Sequence, residues 1–212
     1  ARADEMTDAY MREHDIKTVF LVSIDPFDYE TFAARRSRYM VVVSDVVFGT
    51  PKYLEVKSLP EDIEKIRASA SLPVISRIVE TEGGRYLDGG TTDSVPVERA
   101  LEDGARAAVV VLTQDRTYKK KGGYELQALA DRRYADFPYY LEALRTRAGR
   151  YNEQRERIWR LEREEKIAVI APSEPVTVGS TSGSDGEGLL RLYLDGHRQA
   201  TEALDVVRAL GV

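Results

Sequence analysis

The sequence predicts an α/β fold in which a mainly parallel sheet is flanked by layers of helix. Three β-branched runs carry that expectation: residues 39–48, 107–113 and 167–170. Each is nearly continuous in apolar side chains, as a strand covered on both faces requires. Between them lie segments whose apolar residues recur at helical spacing, and strands alternating with helices favour parallel pairing. The 212 residues, 42% hydrophobic and 32% charged, are enough to bury the core of one domain.

The elements follow in order. Met6, Tyr10 and Met11 fall at helix-like spacing within residues 4–15, and residues 17–22 form a short apolar run. Pro26 breaks the chain, and Asp28, a good N-cap, opens a short helix. Residues 39–48 read as a strand and Gly49-Thr50-Pro51 as a turn. Residues 52–57 alternate charged and apolar side chains, as a more exposed strand does, so the two make a hairpin. Pro60 followed by Glu61 and Asp62 starts a helix reaching about Ala70, which Ser71-Leu72-Pro73 ends. Residues 74–82 are extended, Gly83-Gly84 turns, and Arg85-Tyr86-Leu87 resumes a strand that Asp88-Gly89-Gly90 stops. Residues 97–103 form a short helix with Gly104 as its stop. After the buried strand at 107–113, the polar residues 114–123 read as a mobile loop, followed by a helix at 124–134. The longest helix spans residues 138–166. Tyr140, Leu141, Leu144, Ala148, Tyr151, Ile158 and Leu161 lie on one stripe, opposite a solvated face of Arg and Glu. Residues 167–170 are a further parallel-type strand, 178–188 a flexible low-complexity loop, and 189–210 a final amphipathic helix.

Composition removes several chemistries. There is no cysteine, so neither a disulfide framework nor a cysteine nucleophile or metal site exists. The two histidines, His14 and His197, have no motif around them and read as surface residues. The 31 Lys and Arg against 36 Asp and Glu leave a net charge of −5, a poor balance for binding nucleic acid. No serine has the G-x-S-x-G surroundings of a hydrolase elbow, and Gly179 to Ser184 lacks the lysine of a phosphate loop. No signal core and no apolar run near ~20 residues is visible, so a cytoplasmic location is expected.

The sharpest local feature is Tyr86-Leu87-Asp88-Gly89-Gly90. It sets a carboxylate where a strand ends, with two glycines after it. Strand ends carry the chemistry in parallel α/β sheets, and a carboxylate there suits a general base. Glycines let backbone approach a reacting group closely. Asp-Gly-Gly is also an ordinary turn signature, and taken alone that is the plainer reading. The Lys119-Lys120-Lys121 run could touch anionic headgroups, but a solvated loop explains it as well.

Several stretches in the same order resemble the bacterial patatin-like phospholipases. They are Pro26-Phe27-Asp28-Tyr29-Glu30-Thr31-Phe32, residues 66–73, Tyr86 to Gly90 with Asp93-Ser94-Val95-Pro96-Val97, and Gly104 with residues 109–113. Tyr118-Lys119-Lys120, Arg147 with Tyr151-Asn152, Leu161-Glu162 and Ile170-Ala171-Pro172-Ser173 complete the set. That family hydrolyses lipid acyl esters with a serine–aspartate dyad, needing neither metal nor organic cofactor. The resemblance places the catalytic aspartate on Asp88, with Gly89 and Gly90 keeping backbone bulk away from the dyad. Residues 69–73 would pack near the dyad strand, and the loops at 118–123 and 178–188 would border the acyl-chain entrance.

The family's oxyanion loop and serine elbow have no counterpart in the chain. Residues 1–212 are thus expected to be the C-terminal portion of a single patatin-like domain, carrying the base without the nucleophile and inactive alone. The alternative is a non-catalytic lipid-binding or protein-interaction module on the same scaffold. The expected partners are a lipid or ester substrate, a transient contact with a membrane surface, and a second copy of the chain through exposed core surface.

Overall fold

The structure, a computed structural model, describes residues 27–176 and 186–211. The early helix and apolar run expected within residues 4–22, His14, and most of the low-complexity stretch lie outside them. The described elements are α1 (Tyr29–Ala34), β1 (Tyr39–Asp45), β2 (Pro51–Val56), α2 (Ile63–Ser69), β3 (Val79–Thr81) and β4 (Gly84–Asp88). They continue with a 3-10 turn (Gly89–Thr91), α3 (Val97–Glu102), β5 (Ala108–Val111), α4 (Gln127–Arg133), α5 (Pro138–Arg163), β6 (Ile167–Ile170), α6 (Gly186–Glu202) and α7 (Leu204–Ala209).

Local chemistry explains the boundaries. The Asp28 carboxylate caps α1 by accepting from the Thr31 N–H at 2.9 Å. β1 ends where Asp45 Oδ1 accepts from the Val47 and Phe48 N–H groups, which turns the chain into β2. Glu82 and Gly83, both at positive φ, make a two-residue hairpin turn between β3 and β4. The turn that opens α6 takes up Gly186 to Gly188, and the expected final helix breaks at Ala203 into α6 and α7.

The fold is mixed α/β, but the sheet is not mainly parallel. The four-stranded sheet has the order β2-β1-β4-β3, and all three of its pairings are antiparallel. Among the described residues only β5 and β6 pair in parallel, in a separate two-stranded sheet. Connection length is the reason. Tight turns join β1 to β2 and β3 to β4, and a tight turn returns the chain antiparallel. β5 and β6 are separated by α4 and α5, which is the long crossover that parallel pairing needs. The run 40–43 resembles a parallel strand because β1 is one of the two inner strands of its sheet and Val41 and Val43 sit in the core.

Among the described residues, three apolar clusters form the core. Val41, Val43, Leu54, Val56 and Val79 pack under Ala68 of α2. On the other side, Val46 and Leu87 meet Ala130 and Tyr134 with Tyr140, Leu141 and Leu144 of α5. The third cluster joins Val97, Val110 and Val169 to Ile158 and Leu161 of α5. One long helix therefore spans both sheets. Its two apolar ends are anchors, and truncating Leu144 or Ile158 to Ala is worth about 2–5 kcal/mol.

The strand at 107–113 is not buried on both faces: Val111 is 69% exposed. No described helix is long and apolar enough to cross a membrane.

Candidate functional site

Between its two apolar anchors, α5 turns a polar middle third toward the end of β4. The solvated face expected of this helix is only partly solvated, because three of its arginines point inward. The Arg147 Nε donates to the Gly90 carbonyl at 2.8 Å, and the Arg150 Nη1 to the Thr91 carbonyl at 2.8 Å. Arg155, 3% exposed, donates to the Asp115 carbonyl. Backbone carbonyls at a chain reversal are left over from sheet and helix pairing, and charged donors satisfy them well.

Asp88 is the last residue of β4 and caps the 3-10 turn after it: Oδ1 accepts from the Gly90 N–H at 2.8 Å. Its backbone is fixed from two sides. The Asp88 N–H donates to the Ser71 carbonyl at 2.8 Å, and the Ser44 hydroxyl donates to the Asp88 carbonyl at 2.8 Å. Residues 69–73 thus do lie against the strand that carries Asp88. No described donor bonds Asp88 Oδ2. Burial pushes the Asp88 carboxyl above its ordinary pKa, while the Gly90 N–H and the charges of Arg147 and Lys120 pull the other way.

The two glycines have different reasons. A Cβ on Gly90 would sit 2.9 Å from Asp88 Oδ1 and 3.6 Å from the Arg147 guanidinium, crowding the carboxylate. A Cβ on Gly89 would instead lie 2.2 Å from the Val42 carbonyl oxygen, so Gly89 admits the backbone of β1 and does not face the carboxylate.

The loop expected to be mobile at 114–123 is held. Asn152 of α5 accepts from the Lys120 N–H at 2.9 Å and donates to the Lys120 carbonyl at 3.0 Å. Asp115 Oδ1 accepts from the Thr117 N–H at 2.8 Å, and Tyr118 packs edge-on against Tyr151 with centroids 6.0 Å apart. The clamp separates the three lysines. Lys119 and Lys121 are exposed, whereas Lys120 is half-buried with its ammonium 4.8 Å over the Tyr151 ring. Burial and the nearby Arg147 charge lower the Lys120 pKa, and Asp88 offsets them in part.

Two cavities open beside these residues and share Tyr118, Lys120 and Arg147 as a common wall. One, about 340 Å³, continues along Leu72, Pro73, Ile75 and Leu144. The other, about 330 Å³, runs past Gly90, Ser94 and Val111. Among the described residues, no three His, Asp or Glu side chains converge as a metal site would need. His197 lies exposed on α6 beside Tyr193, away from Asp88.

Sequence reasoning singled out Asp88, Gly89 and Gly90. It missed Arg147 and Lys120 as members of the same site. The signal was present: Arg147 and Tyr151 stand one helical turn apart where the apolar stripe thins between Leu144 and Ile158.

A family described as "Domain of unknown function (DUF6363)" matches residues 137–210, which run from just before α5 to the end of α7. Arg147, Tyr151 and Asn152 fall inside that match, and Asp88 and Lys120 outside it. The chain is also similar to the uncharacterized protein YjjU of Escherichia coli (strain K12), 36% identical over 83 residues. That alignment covers 39% of this chain and spans 23% of YjjU, under a quarter of the relative's length.

Proposed function

We propose that the chain is the base-bearing part of a serine–aspartate acyl hydrolase acting on lipid esters, built on a patatin-like layered fold. One observation carries the reading. The half-buried Asp88 carboxylate ends a strand two residues before Gly90, which lines an open cavity, and it has one oxygen held by the Gly90 N–H and no described donor on the other. Such a carboxylate is oriented and still basic, and its raised pKa favours accepting a proton.

The steps balance as follows. A serine Oγ supplied by a segment outside this chain attacks the ester carbonyl carbon while Asp88 Oδ2 takes its proton. The carbonyl C–O bond to the alcohol breaks, and Asp88 returns the proton to the departing alkoxide. Water then attacks the acyl-serine ester, again losing its proton to Asp88. The proton passes to serine Oγ as the fatty acid leaves, and the free enzyme is restored. Backbone donors for the developing oxyanion also come from outside this chain.

The test is hydrolysis of p-nitrophenyl butyrate by the 212-residue chain alone and by the parent protein read in frame upstream of Ala1. The chain alone is expected to give no turnover above buffer. The parent is expected to encode a glycine-rich segment and a G-x-S-x-G elbow, and to turn over. Robust turnover by the chain alone contradicts the reading. A parent without the elbow makes the chain the non-catalytic lipid-binding module instead.

A further inference from the structure

β1 is apolar from Met40 to Val43 and then carries Ser44, which is fully buried. A hydroxyl in such a place costs free energy unless it is hydrogen-bonded. Ser44 finds its partners in the turn that follows Asp88. Its Oγ lies 2.8 Å from the Asp88 carbonyl oxygen and 2.8 Å from the hydroxyl of Thr92, which is 4% exposed.

The direction of these two bonds follows from counting hydrogens. A carbonyl oxygen only accepts, so the single hydroxyl hydrogen of Ser44 goes to Asp88. The Thr92 hydroxyl is then the donor to Ser44 Oγ. Together they make a chain from Thr92 through Ser44 to the Asp88 carbonyl, in which each bond polarises the next. Its far end is anchored, because the Thr92 N–H donates to the Gly89 carbonyl at 3.0 Å and closes the 3-10 turn.

The chain grips the turn at a free hinge. The Gly90 N–H holds Asp88 Oδ1, and only Gly89 separates that N–H from the Asp88 carbonyl. Gly89 has no side chain to limit its torsions. The peptide joining Asp88 to Gly89 must therefore be fixed by hydrogen bonds if the Gly90 N–H is to stay aimed at the carboxylate. Ser44 fixes its carbonyl, while the Arg147 Nε and the Ser94 hydroxyl, both at 2.8 Å, hold the Gly90 carbonyl beyond it.

We propose that Ser44 and Thr92 are positioning residues for Asp88: their hydroxyl chain holds the Asp88–Gly89 peptide and, through it, the Gly90 N–H that orients the carboxylate. This rests on the reading of Asp88 as the general base and adds to it two buried residues that act only through it.

The test is an NMR titration of the Asp88 carboxyl carbon in the 212-residue chain, with Asp88→Asn assigning the signal. Ser44→Ala removes the bond to the Asp88 carbonyl. The Gly90 N–H favours the ionised carboxyl, so slackening it is expected to raise the Asp88 pKa by about 0.5–1 unit, part of a charge-assisted hydrogen bond. Thr92→Val keeps the side-chain volume and loses the hydroxyl, and is expected to shift the titration the same way by less. Thr92→Ser keeps the hydroxyl and is expected to titrate with the wild type. Hydrogen exchange at the Gly90 amide should quicken in the two variants that shift. Near-ultraviolet circular dichroism reports folding, and Thr92→Val carries the test if Ser44→Ala does not fold. A pair that is only a strut would lower the urea midpoint in Ser44→Ala and Thr92→Val and leave the Asp88 titration at wild type. That result overturns the proposal, as does a shift in Thr92→Ser equal to that in Thr92→Val. The titration needs no turnover. A shifted titration beside a parent protein without Asp88-dependent hydrolysis supports the hydroxyl chain and fails the hydrolase reading. An unshifted titration beside an active parent fails the hydroxyl chain alone.

Discussion

Asp88 and Asp93 stand at opposite ends of the same short turn, and their surroundings could hardly differ more. Asp93, 8% exposed, is fully engaged: Oδ2 accepts from the Tyr53 hydroxyl at 2.6 Å and Oδ1 from the Gln154 amide at 2.6 Å. Burial and the Asp93 carboxylate push the Tyr53 hydroxyl far above its ordinary pKa, which keeps it a donor. Asp88 has one oxygen occupied by its own turn and no described donor on the other, with the charges of Arg147 and Lys120 close by. A buried carboxylate with every partner in place ties β2, the turn and α5 together. A half-buried one with a spare oxygen is available to a reacting group. The lesson is that accounting for partners, more than burial alone, separates a strut from a site.

Three variants sharpen or break that contrast, one of them by two readouts. The largest effect is expected for Asp88→Asn in the serine-bearing parent, which should lower kcat by about 10²–10⁴-fold without lowering the urea midpoint. A variant that keeps wild-type kcat removes Asp88 from the mechanism. Asp93→Ala should do the opposite. It strands the Tyr53 hydroxyl and the Gln154 amide, costs about 2–4 kcal/mol in urea unfolding, and leaves kcat per folded molecule near wild type. Asn152→Ala frees both backbone groups of Lys120. It should cost about 1–2 kcal/mol in urea unfolding, with no change in kcat for a neutral ester.

The smallest effect is on stability, and its sign follows from the raised pKa of Asp88. A carboxyl whose folded pKa lies above its unfolded value binds its proton more tightly when folded, so its ionisation weakens the fold. Asp88→Asn should therefore be slightly more stable than wild type at neutral pH. That advantage should vanish as the pH falls through the raised pKa toward the ordinary aspartate value near ~3.9. Melting temperatures of the two chains at several pH values check it, and an advantage that grows on acidification contradicts the account.

Much of this was legible in the sequence, and the rest was not for identifiable reasons. The Asp28 cap, the β1–β2 hairpin, the long helix from Pro138 and the parallel character of β5 and β6 follow from local chemistry and periodicity, whereas the extended stretch expected at 74–82 is a strand only at Val79–Thr81. The antiparallel sheet was missed because a continuous apolar run reports cover on both faces, not the direction of the neighbouring strand. Asp88 was legible because a carboxylate before two glycines at a strand end is a local pattern. Lys120 and Asp93 were not, and Arg147 showed only as an interruption of the apolar stripe, since their roles rest on contacts between residues far apart in the chain. Arg147 meets Gly90, Asn152 meets Lys120, and Gln154 meets Asp93. The solvated face expected of α5 fails at the arginines for the same reason: sequence spacing says which residues share a face, and only the fold says what that face meets.

The acid limb of the pH profile of kcat/KM tests the central claim most directly, measured on the serine-bearing parent with a neutral p-nitrophenyl ester. The account predicts that activity falls on acidification with an apparent pKa above the ordinary aspartate value of ~3.9, because burial raises Asp88. It also predicts that Lys120→Gln moves the limb to higher pH, since a charge that favours the carboxylate has been removed. A limb at or below the ordinary value, or one that Lys120→Gln leaves in place, would contradict it.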